Sequence, residues 1–374
     1  MNVAADLVVT ALALIATAIA VLPLAEARRD SAVAMKVFWL LLGLLALLAA
    51  RLLAWSGNAI AAVPLLLIAS WLPLLALRVA EQIVRRHAAV AVKWLMLGGG
   101  LLFTVITLIF GAAWSGRVLT ALAAFQAVAI MCTVVHLLRA REVSPGERHL
   151  AQVFAAALAL AIPLTATDFQ GIAHLPVRGG AFAVLLLVLA TSRAVSDTAS
   201  LGSLIIDLLV LSGAGAVIGG SAALVLGRSD PSQLWQIGAI GAATAAVALI
   251  AQRRGEARLI LRARPSLARA IAALPERPDQ ATLLSAHPLL ASGRMVEGDM
   301  LHAYSSAEIA AWLAQRVVTR SAGDAARDLL DATAATHLLR LSTSPPRFLA
   351  VSAGALAGDD IGAELDLVAR VARP

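Results

Sequence analysis

Few side chains in this sequence could do chemistry, and several of them lie inside long apolar runs. Asp207 sits in Leu204-Ile205-Ile206-Asp207-Leu208-Leu209, about two turns into its run. A carboxylate in hydrocarbon is costly to ionise, which suits proton coupling or ligand contact. Near a solvated helix end it would instead bond a neighbouring helix or pair with Arg193. Gln126, Thr133 and His136 fall within about 80° of one another around one helix at 100° per residue. That face could line a polar cleft, or it could supply hydrogen bonds between helices, a common use of such side chains in bundles.

Other motifs point away from catalysis. Gly213-Ala214-Gly215-Ala216-Val217-Ile218-Gly219-Gly220 misses a dinucleotide-loop spacing by one residue, and no strand precedes it. Gly213, Gly215, Gly219 and Gly220 fit close helix packing instead, with Gly215 and Gly219 as a small-xxx-small pair. Gly98-Gly99-Gly100 reads as a close contact or a kink. There is no phosphate-binding Gly-x-x-x-x-Gly-Lys loop, no His-Glu-x-x-His helix and no Gly-x-Ser-x-Gly elbow. His287, His302 and His337 lack ligand spacing, and Asp359-Asp360 reads as a helix cap. The single cysteine, Cys132, excludes an intrachain disulfide. Neither a metal nor a cofactor is expected, and a catalytic role is less favoured than a binding one.

The elements that must position these residues are helices in a membrane. Sixty per cent of the residues are hydrophobic and 14% charged, outside the balance of soluble domains. Nine runs of spanning length can be drawn, at about 4–25, 35–55, 59–79, 91–114, 118–138, 149–169, 177–195, 199–227 and 231–251; two or three are weaker, so eight is the alternative count. The first run has no basic leader, so it reads as a span rather than a cleaved signal. Of 21 Lys/Arg residues before Ala270, 17 fall in odd-numbered connections. The even ones carry only Arg51, Arg117, Arg178 and Arg228. Basic connections stay in the cytoplasm, which predicts an inner-membrane, multi-pass protein with its N-terminus outside and its C-terminal region inside. Residues 1–270 carry a net +10 and residues 271–374 a net −3. The high pI therefore describes a collar at the inner membrane face, in which Arg253, Arg254, Arg258, Arg262 and Arg264 meet anionic headgroups. Nucleic acid is not an expected partner.

Residues 1–252 thus form a bundle, 253–277 a basic linker, and 278–374 a small cytoplasmic α+β domain. Helices are expected over Ile309–Val318, Asp324–Ala335 and Ile361–Ala372, the first behind a Ser305-Ser306-Ala307-Glu308 capping box. His337–Leu341 and Phe348–Ser352 read as strands joined by Thr343-Ser344-Pro345-Pro346. Leu338, Leu341, Leu349, Val351, Leu365 and Val368 supply one small core.

This layout, with the Arg-rich Arg139–Arg148 link and the run from Thr336 to Val371, resembles the input half of bacterial sensor histidine kinases that have a seven-helix N-terminal sensor and a GAF-like tail. No phospho-acceptor helix, ATP-binding box or cyclase motif is present, so the resemblance implies an input module without its own output enzyme. The expected function is a non-enzymatic membrane sensor or scaffold that engages a cytoplasmic protein, with self-association left open. The alternative is a secondary transporter or channel-like protein built on Asp207 and the Gly-rich eighth run.

Overall fold

The computed structural model describes residues 3–27, 32–55, 59–84, 86–111, 114–139, 145–169, 176–195, 201–226, 230–263, 267–275, 279–291, 293–304, 306–319, 324–333, 335, 337–351 and 360–371. The chain divides into two compact units, one from Met1–Arg141 and Glu147–Ala257, the other chiefly Arg258–Pro374. The first is helical: α1 (Val3–Ala27), α2 (Ala32–Trp55), α3 (Ala62–Val84), α4 (Val90–Phe110), α5 (Gly116–Leu138), α6 (Pro145–Ala166), α7 (Gly180–Val195), α8 (Leu201–Leu226) and α9 (Pro231–Ala263).

Among the described residues, eight helices are long and apolar enough to cross a membrane, consistent with a polytopic membrane protein. Eight is the lower of the two expected counts, because the 177–195 run yields only the 16 residues of α7. At 1.5 Å per residue that is about 24 Å, short of the ~30 Å hydrocarbon layer. Its start is set by polar groups, since the Gly179 N–H donates to Thr167 Oγ1 at 2.6 Å and the Gly180 N–H to Asp168 Oδ1 at 3.1 Å. Buried residues occur all round α7, among them Ala181, Val184, Leu185, Val188 and Leu189. By Leu186 and Ala190 it packs with Val153 and Ala157 of α6 and with Leu204 of α8. It therefore runs from the end of α6 back toward that helix's start.

Helices α4 and α8 do the opposite and expose large side chains, including Trp94, Leu102, Leu108, Ile206, Leu209 and Leu224. Such surface suits acyl chains and would be a liability in water. Glycines set the close approaches. A Cβ on Gly99 would overlap the Phe125 ring, and one on Gly100 would press on Trp71. A Cβ on Gly215 would lie 2.9 Å from the Gly238 carbonyl oxygen, and one on Gly219 3.2 Å from that of Leu234. Gly213 and Gly220, expected to pack similarly, face open space, because they lie off the stripe that meets α9. Asp230 opens α9 by accepting from the Ser232 hydroxyl at 2.7 Å, with Pro231 at the first helical position. That bond and, after it, the one from the Ser232 N–H at 3.2 Å hold its carboxyl below the usual range.

In the second unit, α10 (Leu267–Ala272), α11 (Gln280–Ser285), α12 (Pro288–Ala291), α13 (Asp299–His302), α14 (Ser306–Ala314), α15 (Asp324–Ala332) and α16 (Asp360–Val371) accompany four strands. These are β1 (Arg294–Val296), β2 (Val317–Thr319), β3 (His337–Thr343) and β4 (Pro346–Val351), antiparallel in the order β1-β4-β3-β2. The expected β3–β4 hairpin is present. The helix expected to reach Val318 stops at Ala314, because Val317-Val318-Thr319 pairs with Leu339-Leu338-His337. Strand alternation supplies two cores rather than one. Leu339, Leu341, Leu349 and Val351 meet Leu267, Leu283, Leu365 and Val368 on one face. On the other, Leu338, Phe348 and Ala350 meet Trp312, Leu329 and Leu330. Leu267 belongs to the first core, so this unit includes α10, which precedes 278.

Candidate functional site

Five helices of the bundle, α2, α3, α5, α6 and α7, line an open cavity of about 920 Å³. That is toward the upper end of small-molecule sites. Leucines dominate its wall, among them Leu44 and Leu48 of α2, Leu66 of α3, Leu122 of α5 and Leu187 of α7. Its polar residues are concentrated at one end, where α2 and α6 finish and α5 and α7 begin.

Arg51 near the end of α2 is the centre of that end. Its Nη1 donates to Asp168 Oδ2 at 2.6 Å and its Nη2 to Oδ1 at 3.2 Å, a two-pronged ion pair. The same carboxylate accepts the Gly180 N–H, so one Asp caps α7 and pairs α2 with α6. The guanidinium carbon lies 4.6 Å from the Trp55 ring centroid, one turn along α2, and that of Arg178 lies 5.6 Å from it. Arg178 also donates its backbone N–H to Asp6 Oδ1 of α1 at 2.8 Å, with its Nε 3.8 Å from Oδ2. The cluster therefore ties α1, α2, α6 and α7 together.

Two features of this end are unmatched. The side chain of Arg51 is only 9% exposed, yet its Nε makes no hydrogen bond with a described residue. Arg117, in the first turn of α5, lines the cavity, is exposed and has no ion pair among the described residues. The N-cap of α5, Ser115, makes no side-chain capping bond, so the positive end of that helix also faces the cavity at Gly116 and Arg117.

The residues singled out from sequence do not assemble into one site. Gln126 lines the cavity and donates to the Ala69 carbonyl of α3 at 2.8 Å, an interhelical bond. Thr133 donates to Ala129 within its own helix at 3.0 Å. His136 is half a helix away, with Nε2 3.2 Å from the Arg86 carbonyl. Asp207 is buried and paired with Arg253 near the far end of α9, rather than with Arg193, whose side chain lies outside the described residues. That pairing gives Asp207 a cationic partner within the bundle, and it is not on the cavity wall. Arg254 donates to the Ile19 carbonyl at 3.0 Å. The side chains of Arg258, Arg262 and Arg264 and the Asp359-Asp360 cap lie outside the described residues.

Two further buried carboxylates went unremarked in the sequence, Asp6 and Glu81. Glu81 of α3 accepts from Lys93 at 2.8 Å, from the Ala88 N–H at 2.8 Å and from Arg78 at 3.3 Å, closing the α3–α4 turn. Its bonds are all used, so it reads as a staple. Among the described residues no three His, Cys, Asp or Glu side chains converge as metal ligands would. Comparison with family models, curated proteins and solved structures finds no significant match.

Proposed function

We propose that this chain is the input part of a membrane signalling system, in which the bundle receives a small molecule and the C-terminal unit passes its state to a cytoplasmic protein. The cavity is the observation that carries this reading. Bundles built only to anchor a domain pack their interiors, whereas this one leaves space walled by five helices and polar at one end. The 17-to-4 division of Lys/Arg supports an inner-membrane orientation with α1 starting outside. The polar end of the cavity then lies near the outer face. On this reading α7 is a ninth crossing, short because protein rather than lipid surrounds it. Of the expected headgroup collar, Arg253 is instead paired with Asp207 and Arg254 bonded to the Ile19 carbonyl. The α9 helix continues from the bundle to Ala263, which offers a mechanical route to the second unit. It is also the role that the resemblance to sensor-kinase input regions would imply.

Transport through Asp207 has less support, because Arg253 neutralises it and the cavity lies elsewhere. The test is affinity purification of the full chain from its own membrane. One cytoplasmic protein should co-purify with the full chain and be lost when residues 258–374 are removed. Substrate flux in proteoliposomes that Asp207→Asn abolishes would reverse the ranking.

A further inference from the structure

We infer that the cavity takes a long-chain anion from the membrane: one hydrocarbon chain among the leucines, under a carboxylate or phosphate held by Arg51, Arg117 and Arg178. This rests on reading the cavity as the input site, and adds the chemistry of what enters it.

Charge selects the head. The wall carries three guanidinium groups and one carboxylate, Asp168. Asp6 answers Arg178 from outside the wall, which leaves one positive charge in excess, that of Arg117. A cationic ligand would meet that excess, and an uncharged one would leave Arg117 and Arg51 Nε as they are. An anion at the Arg117 end of α5 meets the free charge, the uncapped helix start and the spare donor of Arg51 together.

Shape and polarity select the tail. Along α5 the lining residues run from Gly116 to Ile130, about 21 Å at 1.5 Å per residue. One leaflet's hydrocarbon is about 15 Å deep, half of the ~30 Å layer. The cavity thus has room for one leaflet's chain with its headgroup above it. An apolar wall favours an apolar occupant, so a small hydrophilic anion would use only the polar end of the site.

The test uses the full chain in nanodiscs of zwitterionic phosphatidylcholine. Four probes are compared by equilibrium binding: palmitate, hexadecyl phosphate, hexadecanol and inorganic phosphate. Both long-chain anions should bind saturably, with affinities about tenfold or more above hexadecanol, and inorganic phosphate should show no saturable site. Arg117→Gln, at an exposed residue with no ion pair among the described residues, should weaken both anions about tenfold and leave hexadecanol unchanged. Leu119→Trp, which places an indole in the cavity, should remove binding of all chains. Equal affinity for hexadecanol, saturable binding of phosphate alone, absence of saturable binding by either anion, or unchanged anion affinity in Arg117→Gln would each overturn the proposal. These outcomes leave the signalling reading to the partner purification, which uses no added ligand. Conversely, selective anion binding without a partner would retain the site and remove the relay.

Discussion

Arg51 joins more of the bundle than any residue its sequence neighbourhood suggests. Replacing it with Gln would leave Asp168 with half its partners in a largely dry place, so Arg51→Gln should lower the stability of the detergent-purified chain by about 2 kcal/mol. Adding Asp168→Asn removes the stranded charge and should restore part of the loss, which thermal melting of the two variants would show. An additive double variant would mean that the pair contributes little. The partners are 117 residues apart, and Asp6 and Arg178 are 172 apart, which is why no local pattern reveals them. A signal was nonetheless present. Arg51, Arg117 and Arg178 are three of the four cations that break the charge rule, and all three line the cavity. Their place on the minority side of the charge rule is itself the sign that something holds them. Asp207 shows the reverse failing. Its position inside an apolar run was legible, but its partner depended on where α9 ended.

Elements carry their own predictions. Gly→Ala favours a helix by up to about 1 kcal/mol when nothing obstructs the new methyl. Gly213→Ala should therefore be neutral or stabilising, whereas Gly215→Ala should destabilise, because its Cβ would meet the Gly238 carbonyl at 2.9 Å. Melting temperatures that shift the same way would remove α8–α9 contact as the reason for those glycines. In the C-terminal unit, fragment 258–374 should unfold cooperatively, while 278–374 lacks Leu267 and should melt earlier or not fold. Leu267→Ala in the longer fragment should cost about 3 kcal/mol in chemical denaturation. Asp279 gives this unit a pH handle. It caps α11, and bonds from Thr282, the hydroxyl's first and then the N–H, hold its carboxyl below the usual range. A depressed folded pKa contributes stability above the unfolded value near 4 and loses it as pH falls through the folded one. The advantage of wild type over Asp279→Ala should thus be complete at neutral pH and shrink in acid. Sequence periodicity was enough for the β3–β4 hairpin and α16. It was not enough for β1 and β2, three-residue strands whose pairing comes from the sheet around them. The α7 helix is shorter than the predicted 177–195 span because Thr167 and Asp168 cap its start at Gly179 and Gly180, contacts that no local pattern shows.

At the scale of the whole molecule, membrane class was legible from composition, and the two-unit division from the shift in charge. The cavity was not, since voids arise from how five helices splay and leave no mark on any one of them. Reporter fusions should give an outside-active signal after Arg117 and an inside signal after Pro374, and an outside signal at Pro374 would remove α7 as a crossing. The central claim is that the state of the cavity reaches the C-terminal unit. Hydrogen exchange of the full chain in nanodiscs tests it most directly, comparing wild type with Leu119→Trp and wild type with and without palmitate. The account predicts altered protection in residues 258–374, strongest in α10 and α16, with a measurable response to palmitate in the wild type and none in the filled variant. Identical exchange across 258–374 in every case, with the bundle's own amides responding around α2 and α5, would contradict it.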